Sequence, residues 1–340
     1  MTGAMKHLLE RAASGEPLTT DEMRKAMRIL LSGKASDVEI AGFLMALRVR
    51  GATVEEITTG VEEMRRVAVT VDAPDNAIDT CGTGGDGADT FNISTAVALI
   101  VAGAGAPVAK HGSTAASSRS GSAEVLRELG VKLEIPPEVI SRCIRQAGVG
   151  FMFAAHHHQA VKNVMAARRA LGVRTIFNIL GPLSNPASAK QQLMGVFSRD
   201  LLLPAAQVMQ RLGVKSAWVV HGADGLDELT TTGPSYVAEL RDGEIREFTV
   251  TPESAGLPLA SIEDLRGGEP PENAAAITRL LEGETGAFRD IAVFNAGAAL
   301  VIAGKASDIA EGARLAESSI DSGRAKRALK NLVRISNSAS

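Results

Sequence analysis

Three stretches of the chain combine residue types and spacings that can do chemistry. The first is Asp79-Thr80-Cys81-Gly82-Thr83-Gly84-Gly85-Asp86, a strand end running into a glycine-rich loop, followed by Asn92-Ile93-Ser94-Thr95 at the head of an apolar helix. Glycines let a backbone approach an anion closely and adopt positive φ. The N–H groups and dipole of a helix start favour negative charge, so the stretch reads as a phosphate cradle. It is neither a P-loop, since no Gly-Lys-Ser/Thr follows, nor the dinucleotide Gly-x-Gly-x-x-Gly. Taken alone, the glycines fit a tight turn with a helix cap equally well. The second stretch, Lys110 to Ser122, follows a predicted strand and precedes a predicted helix over Ala123 to Leu129. It offers Lys110 and Arg119 as cations, His111 as a third when protonated, and the hydroxyls of Ser113, Thr114, Ser117, Ser118, Ser120 and Ser122. By itself it also reads as a solvated linker. Two such loops on successive strand ends suit a substrate with two separated phosphate groups. The third is Asp227-Glu228, just past the strand carrying Trp218: adjacent carboxylates of the kind that hold Mg²⁺ together with substrate phosphates, or else an acidic turn in water.

Other residues carry weaker signals. Arg168, ahead of Leu171 to Pro186, can fork onto a carboxylate, or can simply sit on a helix surface. The run His156 to His158 tempts a metal reading, but consecutive imidazoles point in different directions and structural zinc sites draw ligands at set spacings; one histidine lining a pocket is the better reading. Cys81 lies beside the glycine loop without a cue for activation, so packing is expected there rather than redox chemistry.

The elements that must position these residues fall into two textures. Ser/Thr-x-x-Glu occurs at Thr19 with Glu22, Ser36 with Glu39 and Thr53 with Glu56, each ahead of an apolar periodic run, which is the signature of a capping box at a helix start. Ile40, Phe43, Leu44 and Leu47 form one helical stripe, and Gly51 is placed to close that helix. Residues 1–70 are therefore expected to form a helical module. From Asn76 short apolar runs alternate with helix-length segments, the pattern of an α/β domain over 76–335. Predicted strands are Ala77 to Thr80, Val108 to Lys110, Ala217 to His221, Ser235 to Leu240 and Glu244 to Val250, the last two joined at Asp242-Gly243 as a hairpin. Predicted later helices are Ala274 to Leu281, Asp290 to Ala303 and Ser307 to Ser322. The fold class expected is α/β: a small helical N-terminal domain plus a larger domain with a central, mostly parallel sheet surrounded by helices.

Composition narrows the partners. The 340 residues carry 36 Lys and Arg against 39 Asp and Glu, a net charge of −3, which argues against a nucleic-acid reader. Ile93 to Ala109, the longest nearly uncharged stretch, falls short of the roughly 20 apolar residues that span a bilayer and is expected to be a buried helix running into a strand. Met1 to Ala13 reads as a helix rather than a secretory leader. Two cysteines cannot make a disulfide framework, and a cytoplasmic setting is the simplest expectation. With nine Phe, one Tyr and one Trp, the core must be aliphatic.

These motifs, in this order, resemble those of the anthranilate phosphoribosyltransferases of tryptophan biosynthesis, within a fold shared with pyrimidine nucleoside phosphorylases. The resemblance covers nearly the whole chain and includes Arg174 to Pro186 with Gly-Pro-Leu-Ser-Asn-Pro, and the late segment from Asn295-Ala296-Gly297-Ala298 to Lys305-Ala306. It implies transfer of the phosphoribosyl group from 5-phosphoribosyl 1-pyrophosphate (PRPP) to the amino group of anthranilate. It also implies Mg²⁺, two ions per site, a homodimer formed through the helical domain, part of 165–190 joining that domain, and an active site in the cleft between the domains. The donor-binding residues implied are Gly82, Gly85, Asp86, Thr90, Asn92, Ser94, Thr95, Lys110, His111, Gly112, Ser117, Ser118 and Ser122. Ser94, Asp227 and Glu228 are implied for the metals, and Gly82, Ser113, His157 and Arg168 for the acceptor.

The chain departs from the family where the acceptor is expected. The family loop usually reads Lys-His-Gly-Asn-Arg, and here Ser113 and Thr114 replace the Asn and Arg; Ala155 stands where the family has Pro, Gln159 where Pro, Ser or Lys is common, and Ala166 where many members have Pro. The donor and metal motifs are intact. A transferase with another acceptor or weakened turnover is the alternative. A pyrimidine nucleoside phosphorylase lacks support from its lysine and Ser-Gly-Gly-Thr signatures, and a non-catalytic nucleic-acid-binding paralogue would need a basic surface.

Overall fold

The computed structural model describes residues 3–115 and 119–338. The chain opens with four helices, α1 (Gly3–Ala13), α2 (Thr20–Leu31), α3 (Asp37–Arg50) and α4 (Val54–Arg66). All three predicted capping boxes close at the starts of α2, α3 and α4, with hydroxyl and carboxylate satisfying each other's backbone N–H. The stripe Ile40, Phe43, Leu44 and Leu47 is buried, and Gly51 caps α3 with φ 85°.

The α/β part then begins: β1 (Ile78–Gly82), α5 (Ile93–Gly103), β2 (Val108–Gly112), α6 (Ser122–Glu128), α7 (Pro137–Ala147) and β3 (Val149–Phe153). The chain returns to helices with α8 (Ala154–His157), α9 (Lys162–Leu171) and α10 (Phe177–Leu183). It then resumes with β4 (Gln191–Gly195), α11 (Leu202–Arg211), β5 (Ser216–Gly222), β6 (Ser235–Arg241), β7 (Glu244–Val250), α12 (Pro270–Leu281), α13 (Ala287–Ile302), α14 (Ile309–Asp321) and α15 (Arg324–Asn337). Two compact units result, one of residues 1–69 and 154–186, the other of 70–153 and 187–340.

In the larger unit seven strands form one sheet in the order β3-β2-β1-β4-β5-β6-β7; β1 to β5 are mutually parallel, and β6 and β7 add antiparallel at one edge. The hairpin turns at Asp242 (φ 53°) and Gly243 (φ 84°), two left-handed residues that match the strand twist. α5 is apolar on every side because it is buried, running from Ile93 through Leu99 to Val101 inside the main core. β1 is followed in sequence by β2 on one side, while β4 lies on its other side. Strand order therefore reverses between β1 and β4, and in open α/β sheets ligands bind beyond the carboxyl ends of the strands at that switch point.

Candidate active site

The glycine loop leaves β1 at the switch point and is stitched to β4: Thr83 N–H donates to the Gly195 carbonyl at 2.9 Å, and Phe197 N–H donates to Thr83 Oγ1 at 3.1 Å. Asp227 enters the same place from beyond β5. Gly84 N–H donates to its Oδ2 at 2.6 Å. A methyl on Gly82 would lie 2.3 Å from that Oδ2, and one on Gly195 1.5 Å from the Asp227 carbonyl, so both strand ends need glycine to admit the acidic segment.

Around Asp227 the other predicted residues assemble. Lys110, buried on β2, donates through Nζ to the Thr80 carbonyl and, at 3.2 Å, to Ser94 Oγ at the head of α5. Glu228 lies beside Ser94 and Lys110, both of which favour its charged form. Burial, then the charges of Asp86 and Glu228, push the Asp227 carboxyl well above its usual range against the Gly84 N–H. Burial likewise raises Glu228 to about 8, opposed by Lys110 and supported by Asp86. Burial also lowers Lys110, which Asp79, Cys81 and the two acids counteract. Burial and the charge of Asp86 leave Asp227 and Glu228 short of compensating positive charge, which Lys110 supplies in part to Glu228.

That deficit is what a divalent cation relieves, and carboxylates with a serine hydroxyl are hard oxygen donors suited to Mg²⁺. Among the described residues no group of three or more His, Cys, Asp or Glu side chains is arranged to hold a metal by itself. The set is incomplete in the way of Mg²⁺ sites that are finished by water and substrate phosphate.

The second loop packs onto the first. His111 N–H donates to Asp79 Oδ1 at 3.0 Å, and the Ser122 hydroxyl donates to the Ser113 carbonyl at 3.2 Å. Gly112 allows that approach, since a Cβ there would meet Ser122 Oγ at 2.4 Å. Gly85 adopts φ 76°, and Thr90 bridges to Arg266. Asn92, Ser120 and Asn273 share a carboxamide network. Thr95 differs from its neighbours: its side chain is buried beside a cavity of about 10 Å³ lined also by Leu99, Lys110 and Phe151, and its hydroxyl has no hydrogen-bond partner among the described residues. Ser117 and Ser118 lie outside the described residues. Ser113 and Thr114 are exposed.

His157 and Arg168 belong to the helical unit. His157 is fully buried, its Nδ1 2.7 Å from the Val69 carbonyl while its own carbonyl accepts from Val69 N–H, so the ring ties α8 to the segment after α4. Burial lowers its pKa and takes His158 down to about 4, leaving both neutral. Arg168 is half-buried with its guanidinium 5.2 Å from the Phe177 ring centroid, and it has no carboxylate partner among the described residues. Ala166 lies within α9, where a proline would remove a helix hydrogen bond.

Two functional supports were not among the predicted site residues. Asn295 on α13 clamps Leu229, accepting its N–H at 2.9 Å and donating to its carbonyl at 2.8 Å, and so fixes the residue next to Glu228. Asn273 on α12 holds Asn92. The signal available for Asn295 is a lone carboxamide inside the apolar run Ile291 to Ile302.

Residues 74–326 match the model of a glycosyl transferase family α/β domain, and residues 6–68 match that family's helical bundle domain. An anthranilate phosphoribosyltransferase of Parvibaculum lavamentivorans is 58% identical, covering 98% of this chain and 97% of its own. The chain belongs to the anthranilate phosphoribosyltransferases. A crystal structure of the anthranilate phosphoribosyltransferase from Thermus thermophilus superimposes with a TM-score of 0.92 at 43% identity, covering 97% of this chain and 99% of that one. The Saccharomyces cerevisiae enzyme matches in complex with PRPP and Mg (TM-score 0.91, 26% identity, 99% of both chains). It also matches in complex with 4-fluoroanthranilate (TM-score 0.88, 26% identity, 98% and 99%). As an anthranilate phosphoribosyltransferase this chain is a pentosyltransferase of tryptophan biosynthesis, with the helical domain and mostly parallel α/β domain of the family.

Proposed function

We propose that the chain joins C1 of the PRPP ribose to the anthranilate amino nitrogen, releasing pyrophosphate, with the donor held by the two loops at the β1/β4 switch point. The observation that carries this is the convergence of Gly84 N–H, Ser94, Lys110, Asp227 and Glu228 there. Gly82, Gly85, Asp86, Thr90, Asn92, Lys110, His111, Gly112 and Ser122 form the donor cradle, with Thr95 contributing through the helix start rather than its buried hydroxyl. Ser94, Asp227 and Glu228 hold Mg²⁺, two ions per site. Bound there, Mg²⁺ supplies positive charge to the pyrophosphate as it leaves.

The chain's own groups do the rest. Backbone N–H donors of the glycine loop and the Lys110 ammonium stabilise the negative charge that develops on the leaving group. An aromatic amine needs orientation more than activation, so no protein nucleophile is assigned. Arg168 takes the acceptor carboxylate, which explains a guanidinium left without an acidic partner. Gly82, Ser113 and His157 complete the acceptor set, His157 through the backbone geometry it fixes. Ser113 and Thr114 offer hydroxyls where the family loop has a carboxamide and a guanidinium.

The enzyme is placed in the cytoplasm, in keeping with two buried free cysteines, and as a homodimer through its helical domain. Sedimentation of a monomer at micromolar concentration would refute the dimer. No helix among the described residues is long and apolar enough to cross a membrane. For the site itself, Asp227→Ala with Glu228→Ala is expected to lower kcat/KM at least a hundredfold and to remove the Mg²⁺ dependence of PRPP binding in calorimetry. Unchanged Mg²⁺ dependence would reject the metal assignment.

A further inference from the structure

We propose that Asn273 is a positioning residue for the phosphoribosyl donor: it fixes the direction of the Asn92 carboxamide, so that Asn92 presents its N–H₂ end rather than its carbonyl to the donor cradle. The inference rests on Asn92 facing the donor.

A carboxamide can point either way, and here both ends of the chain of hydrogen bonds decide the direction. At one end Gly268 N–H, which can only donate, reaches Asn273 Oδ1 at 2.8 Å. Asn273 must then turn its Nδ2 outward, and it donates to Asn92 Oδ1 at 2.8 Å. At the other end Asn92 Nδ2 donates to the Ser120 carbonyl at 3.2 Å, which can only accept. The Ser120 hydroxyl adds a second donor to Asn92 Oδ1 at 3.2 Å. With two donors on its oxygen, Asn92 cannot flip without opposing carbonyl to carbonyl and N–H to N–H. Its amide nitrogen carries one hydrogen beyond that given to Ser120, and this hydrogen is suited to a phosphate or ribose oxygen.

The surroundings show that the arrangement is built. Asn273 is 1% exposed and Asn92 half-buried, so the relay runs from the interior to the edge of the cradle. Gly267 is needed for the close approach, since a Cβ there would lie 2.8 Å from Asn273 Oδ1 and 2.7 Å from the Thr90 carbonyl. Asn92 stands at the N-cap of α5, where asparagine ordinarily bonds to its own helix start, yet its side chain makes no cap hydrogen bond. The side chain is drawn away to Asn273 and Ser120. One residue on α12 thereby sets the polarity of a loop 181 positions earlier.

Asn273→Asp is nearly isosteric. Its carboxylate still accepts from Gly268 but has no hydrogen for Asn92 and repels the Asn92 oxygen, so Asn92 turns its carbonyl toward the donor. With Mg²⁺ present, the calorimetric Kd for PRPP and the KM for PRPP are expected to rise about tenfold, the loss of one well-made hydrogen bond, with the anthranilate KM unchanged and kcat within about twofold. Ser120→Ala removes the weaker of the two donors to the same oxygen; it is expected to weaken PRPP binding a few-fold and serves as the measurement if Asn273→Asp does not fold. Asn92→Ala is the reference. PRPP affinity unchanged in Asn92→Ala would overturn the donor reading and this inference with it. Weaker binding in Asn92→Ala but wild-type PRPP affinity in Asn273→Asp, or in Ser120→Ala when only that variant folds, would overturn the inference alone. An equal fall in every kinetic parameter would mark Asn273 as merely structural and overturn it as well.

Discussion

Glu228 must change its protonation state if it is to hold a metal. Burial first, and then the charge of Asp86, raise its pKa to about 8, so the folded protein binds a proton there that the unfolded chain has released above about 4.5. The stability this group contributes is full at low pH and is lost as pH rises through about 8; Asp227, raised in the same way, acts in the same direction. The Tm of the free enzyme is therefore expected to fall between pH 6 and 9. Holding Mg²⁺ and PRPP requires both carboxylates ionised, so the rise in Tm on adding them should grow over the same interval. Thermal scans in which the ligand-induced rise is the same at pH 6 and pH 9 would contradict the assignment of these acids. Cys81 behaves as a packing residue: its thiol donates to Asp79, accepts from Gln192 and is pushed well above its usual pKa by burial, so it is expected to be inert.

At the scale of elements, what the sequence makes legible is what local chemistry dictates. The capping boxes at Thr19, Ser36 and Thr53 and the Asp242-Gly243 hairpin are each completed within a few residues, and each is found. Ser36→Ala should accordingly cost about 1 kcal/mol in urea unfolding, and a loss below a few tenths would show that the α3 box is idle. β3 and β4 carry no comparable signal. β4 reads Gln-Gln-Leu-Met-Gly, and its polar Gln192 is buried because Cys81 on the neighbouring strand accepts its amide at 3.2 Å, a pairing that spans 111 residues. The glycine loop, Lys110 and Asp227-Glu228 stand out as contiguous motifs. Asn273 and Asn295 do not, because each acts on a partner 181 or 66 residues away and only the fold brings them together.

Over the whole molecule a net charge of −3 is compatible with a doubly phosphorylated substrate, because the positive potential can be local: backbone N–H groups, one buried lysine and, on the proposed assignment, the metal held by the acid pair. The helical unit is assembled from 1–69 and 154–186, and the return segment offers only short apolar patterning, so its extent becomes visible in three dimensions. The core is aliphatic as the composition requires, with Phe294 and Phe43 among its few large aromatics. Transfer of phosphoribosyl to anthranilate is read directly by anthranilate fluorescence. With PRPP and Mg²⁺ present, the signal is expected to fall as product forms, and to fall fastest for anthranilate within a panel of aminobenzoates. A signal that stays flat while calorimetry still detects PRPP binding would contradict it.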